Sequence, residues 1–102
     1  MVLVTCKSTS EARKISRYLV ELKLVACANI IPKIESIFFW QSKLSQEKES
    51  LLVLKTRKVL FNRVVVAIKK LHSYQMPEII TLPVLAGQKN YLNWVKKETQ
   101  KK

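Results

Sequence analysis

The side chains able to do chemistry are few in this sequence. There is one histidine, His72, and there are two cysteines, Cys6 and Cys27. The seven acidic residues are all glutamates. Without any aspartate, a Ser-His-Asp set cannot be built. A Cys6–His72 pair is conceivable by residue type, but nothing beside Cys6 in the sequence would activate its thiol. The single glycine, Gly87, rules out a glycine-rich phosphate loop. No enzyme is expected on these grounds. What remains is ligation. Imidazole, thiolate and carboxylate are the groups that hold copper or zinc. Against this stands a structural role for His72, which falls where a helix should end and can bond backbone carbonyls there.

Those residues need elements to position them. Val2 to Cys6 reads as a buried strand. Ser8-Thr9-Ser10-Glu11 is a capping box, with Ser8 as N-cap and Glu11 three residues on. Ala12, Ile15, Leu19 and Leu22 then recur at spacings of three and four, which predicts a helix over about 9–22. Residues 24–31 and 34–40 read as two strands separated by Pro32. The polar residues 41–50 are expected to be a turn leading to a strand over 51–56. Thr56 is the expected cap of a second helix ending near His72, with a stripe of Leu60, Val64, Ala67, Ile68 and Leu71. A strand over 78–82 and a short helix after Gly87, capped by Asn90, complete the chain. This order predicts one α+β domain over residues 1–102. It is ferredoxin-like (βαββαβ), an antiparallel sheet with an extra C-terminal helix.

Two helices cover one face of such a sheet. Yet Ile37, Phe38, Phe39, Trp40 and Leu51 to Leu54 place apolar groups on both faces. A closed homo-oligomer would cover the second face. The alternative is that the C-terminal helix folds back over it through Tyr91, Leu92 and Trp94.

The net charge of +12 raises the question of an anionic partner. Most of the basic residues are lysines scattered along the chain, and no aromatic RNA-binding motif is present. Nucleic acid is therefore not the expected partner, although Phe38, Phe39 and Trp40 could stack bases. No apolar run is long enough for a membrane helix and no leader is visible. Two buried free thiols in a reducing cytoplasm are expected.

Several segments, in order, resemble the CutA family of divalent-cation tolerance proteins. They are Val25-Ala26-Cys27-Ala28-Asn29-Ile30-Ile31-Pro32, Ser36-Ile37-Phe38-Phe39-Trp40, Leu54-Lys55-Thr56, His72-Ser73-Tyr74-Gln75-Met76-Pro77-Glu78, Leu82-Pro83-Val84 and Tyr91-Leu92-Asn93-Trp94. The resemblance runs from about Val2 to Glu98. It implies a homotrimer of ferredoxin-like subunits, a link to copper or other divalent cations, and no required cofactor. It also implies a metal site using His72, Glu78 and a first-strand cysteine. The family's cysteine position is Val4 here, so Cys6 would have to stand in for it. A cleft between subunits, lined by Trp40, Lys55 and Tyr74, is the alternative site, suited to a small-ligand sensor similar in fold to the PII signalling proteins. Lys33, Ser42 and Ser73 stand where the family usually carries Gly, Gly and Pro.

Overall fold

The computed structural model describes residues 1–100. Strand β1 (Val2–Cys6) turns Val2, Val4 and Cys6 into the core, the alternation expected of a strand covered on one side. Helix α1 (Thr9–Glu21) buries Ala12, Ile15, Ser16 and Leu19. Its start is half the expected capping box. Ser8 Oγ accepts from the Glu11 amide at 3.1 Å. The Glu11 carboxylate, however, accepts from the amide of Ser73, far away in sequence. Leu22 caps the other end and is exposed, because the helix has stopped before the stripe reaches it. The Leu24 amide donates to Leu19 O and the Lys23 amide to Val20 O. That is a Schellman motif, with Lys23 at φ 59° in the position usually given to glycine.

Strands β2 (Cys27–Trp40) and β3 (Lys43–Lys55) form one long antiparallel hairpin. This corrects two expectations. Residues 24–31 and 34–40 are not two strands but parts of one, which begins at Cys27 and carries a bulge between Ile31 and Ile34. Residues 41–50 are not a turn: only Gln41 and Ser42 reverse the chain, at φ 50° and 65°. Two consecutive positive φ values make the primed two-residue turn whose twist suits a hairpin. Lys33, in the bulge, also has φ 60°. The family's glycines at 33 and 42 thus have a physical reason, and this chain holds side chains in a left-handed conformation at both positions.

A 3-10 turn (Lys58–Leu60) leads into α2 (Phe61–Leu71), which buries Val64, Ala67 and Ile68. Thr56 does not cap it. Its hydroxyl donates instead to Leu24 O at 2.6 Å, which closes the α1–β2 connection against the end of β3. Strand β4 (Ile79–Thr81) is shorter than expected. Helix α3 (Lys89–Glu98) is capped by Gln88 rather than Asn90. Arg57 holds its far end through Thr99, at 2.8 and 2.9 Å.

The sheet order is β2-β3-β1-β4, with every pairing antiparallel. β3 splits β1 from β2, the arrangement of a ferredoxin-like fold. The core lies between the sheet and α1 and α2, and includes Val4, Ile15, Leu19, Leu52, Leu54 and Ile68.

Candidate metal centre

Three elements converge on one end of this core. β1 ends at Cys6, which is fully buried. The first turn of α1 brings Glu11. The C-cap of α2 is His72, whose extended backbone lets its ring turn back toward β1. One metal-binding atom from each of Cys6, Glu11 and His72 lies within 4.8 Å of the other two, the one such trio among the described residues.

The hydrogen bonds fix the imidazole. Nε2 lies 2.7 Å from Thr5 O, and the Tyr74 amide donates to Nδ1 at 3.1 Å. A carbonyl only accepts and an amide N–H only donates, so the neutral ring carries its proton on Nε2. His72 therefore does tie a helix end to a backbone carbonyl, but the carbonyl belongs to β1 and not to α2.

Glu11 is the residue that sequence reasoning missed, because the capping box accounted for it. Its Oε2 accepts from the Ser73 amide at 3.2 Å. Its Oε1 is buried without a hydrogen-bond partner, 3.8 Å from His72 Nδ1. A buried carboxylate oxygen left unpaired is costly. Beside it, Tyr74 donates its hydroxyl to the buried Glu49 at 2.8 Å. Among the described residues no lysine or arginine forms an ion pair with Glu11 or Glu49; the one such pair with a lysine is Lys23–Glu98. A pocket of negative charge thus sits inside a chain of net charge +12.

That charge is visible in its neighbours. Burial, then the carboxylates of Glu11 and Glu49, push the Cys6 thiol up from 9.0 to about 12. Burial, then the bond to Glu49, likewise push the Tyr74 phenol up. The sign for stability follows. The unfolded thiol ionises first as pH rises, so this contribution is whole below about pH 9 and is lost above it. Between pH 8 and pH 10 the metal-free protein should lose about 1.4 kcal/mol through Cys6. Urea midpoints of wild type and Cys6→Ala at the two pH values check this, and the variant should lose less.

The expected site is only partly assembled. Cys6 and His72 come together, but with Glu11 and not Glu78. Glu78 is exposed on the segment before β4, outside the trio. Trp40, Lys55 and Tyr74 are not gathered within one subunit. Trp40 pairs with Lys43 and Lys55 with Cys27, at opposite ends of the hairpin. That separation is roughly 40 Å along the strand. Lys55 is hydrogen-bonded to Asn29. Cys27 is half-buried, not buried as expected.

The family model described as CutA1 divalent ion tolerance protein matches residues 1–98. The chain belongs to the CutA family. A Thermus thermophilus relative named divalent-cation tolerance protein CutA is 40% identical over 99 residues, covering 97% of this chain and 96% of its own. A chloroplastic CutA of Arabidopsis thaliana is 37% identical, and the match spans 98% of this chain but 55% of that protein. The solved Thermus thermophilus Cut A1 structure superposes with a TM-score of 0.95 at 40% identity, covering 97% of this chain and 96% of that one. The structure of a periplasmic divalent cation tolerance protein CutA from Archaeoglobus fulgidus superposes at 0.94, with 36% identity and coverage of 97% and 96%. CutA relatives thus bear the names of different compartments. No helix of the described residues is long and apolar enough to cross a membrane.

Proposed function

We propose that this chain serves divalent-cation tolerance as a homotrimer that binds the cation at Cys6, Glu11 and His72. The observation that carries the metal reading is the buried, unpartnered Glu11 oxygen beside a thiol and an imidazole lone pair. A cation would satisfy that oxygen and neutralise the charge that raises the thiol. Imidazole, thiolate and carboxylate together suit copper or zinc. The role is non-catalytic, since a buried thiol pushed up to about 12 is a poor nucleophile at neutral pH. A reducing compartment such as the cytoplasm would keep Cys6 a free thiol.

The trimer reading rests on apolar surface of the hairpin that a single chain leaves uncovered. β1 pairs with β3 only over residues 50–54, so the far half of the hairpin projects beyond the sheet. Ile37, Phe39 and Leu44 on it are 67%, 74% and 69% exposed in a single chain. Helix α3 does not fold back to cover them, because Tyr91, Leu92 and Trp94 are themselves exposed. Exposed apolar surface of this kind marks an association site.

Calorimetric titration of Zn²⁺ and of Cu²⁺ into metal-free wild type and His72→Ala tests the metal site. Wild type should bind one ion per subunit, and the variant at least tenfold more weakly. Equal affinity and stoichiometry would sink the assignment. Native mass spectrometry of the same samples should give three times 11.8 kDa with or without metal.

A further inference from the structure

The helix layer carries a groove of about 400 Å³ between α1 and α2. It shares no residue with the candidate metal centre or with the hairpin. Its floor is apolar, formed by Tyr18, Leu22, Leu24, Val66 and Ala67. Leu24 and Ala67 are buried, whereas Leu22 is 45% and Val66 59% exposed. Leu22 stands just past the end of α1, and Val66 lies off the α2 stripe that buries Val64, Ala67 and Ile68. The rim is basic, with Arg63 and Lys70, and no acidic residue lines the groove. Neither cation forms an ion pair among the described residues. We propose that this groove docks an acidic amphipathic α-helix of a partner protein. The helix presses apolar side chains between Leu22 and Val66 and pairs its carboxylates with Arg63 and Lys70.

Charge, shape and spacing together choose that occupant. Residues 58–71 hold four basic residues and no acid, while the hairpin, 27–55, holds four lysines and three glutamates. The charge of +12 is thus concentrated away from the hairpin, and an acidic partner is drawn to the helix layer. The exposed apolar groups lie in a concavity between two helices. A convex row of side chains enters such a groove, as one helix packs against others. A flat bilayer would touch the rim and leave the floor wet. Duplex nucleic acid would likewise use the charges alone. Arg63 and Lys70 are seven residues apart on α2, two turns or roughly 10 Å, with Val66 between them. Carboxylates at i and i+7 of a partner helix have the same separation, and apolar groups at i+3 and i+4 then meet Val66. A long-chain carboxylate, with its single head group, would engage only one of the two cations. One helix in a groove of this size makes an interface below about 1,200 Å², the class of transient contacts.

The probe is a fluorescent peptide of about 18 residues, roughly 27 Å long as a helix, with Glu at i and i+7 and Leu at i+3 and i+4 of one face. Anisotropy titrations with the full chain should give saturable binding that weakens as salt rises. Arg63→Glu/Lys70→Glu should bind at least tenfold more weakly, and Val66→Ser at least fivefold. Lys58→Glu/Lys69→Glu makes the same charge change on exposed lysines outside the groove, and should bind within threefold of wild type. The Arg63→Glu/Lys70→Glu protein should instead bind a peptide with Lys in place of the two Glu, which wild type should reject. That swap also shows the variant to be folded. No saturable binding to wild type, an equal loss in the two charge reversals, or unchanged affinity in Val66→Ser would overturn the proposal. So would binding to phosphatidylglycerol vesicles or duplex DNA that falls with Val66→Ser as far as the peptide's does, since the floor would then serve that partner.

Discussion

In the homotrimer proposed above, Phe39→Asp is expected to give monomers of 11.8 kDa at micromolar concentration. Phe39 lies near the tip of the projecting hairpin, opposite Leu44, and Ile37 shares its face. Within one subunit the side chain is 74% exposed, so the substitution leaves the core untouched and should not unfold the chain. In an assembly the same position would be buried. An unpaired carboxylate there costs about 3–5 kcal/mol, a loss of a hundredfold or more in association at each copy of the interface. Trp40→Asp should weaken assembly less, since Trp40 has less free surface to bury. Light scattering measures the mass. A Phe39→Asp protein that keeps three times the monomer mass would place the interface elsewhere.

The hairpin also shows where sequence patterns lose their meaning. Helices α1 and α2 were legible because each has one buried face, so apolar residues recur at helical spacing. Apart from Leu44, residues 43–49 are polar on both faces, and the polar run 41–50 has the composition of a turn. Residues 43–49 form a strand because they pair with residues 34–40, and of them only Glu49 is buried in one chain. With no buried face there is no alternation to detect. The turn itself, Gln41-Ser42, lacks the Asn-Gly signature of its conformation.

The site was legible in its parts and not in its assembly. His72 and Cys6 stood out by residue type. Glu11 did not, because a local explanation as the capping-box acid was available and held for the backbone half of the motif. Its carboxylate is drawn instead to Ser73 and His72, more than sixty positions away. Only the antiparallel order that sets the end of α2 beside the end of β1 reveals this. Glu78 lies near His72 in sequence, but the turn between them carries it to the surface.

The two faces of β3 make the sharpest energetic contrast in the subunit. Leu52 is fully buried, with Val4 and Ile30 across the strands beside it and the helices above. Val53 points the other way, paired with Leu3 and Asn29, and is half-exposed. Leu52→Ala leaves a cavity that two packed layers cannot easily close, and should cost about 2–5 kcal/mol. That is a large share of the roughly 5–15 kcal/mol that holds a domain of this size. Val53→Ala should cost less than about 1 kcal/mol, because water already reaches the side chain. The comparison belongs in a Phe39→Asp background, where association cannot add to the apparent stability. Urea midpoints with unchanged slopes give both numbers. Equal costs for the two would mean that Val53 is packed within a single subunit as tightly as Leu52, against its partial exposure.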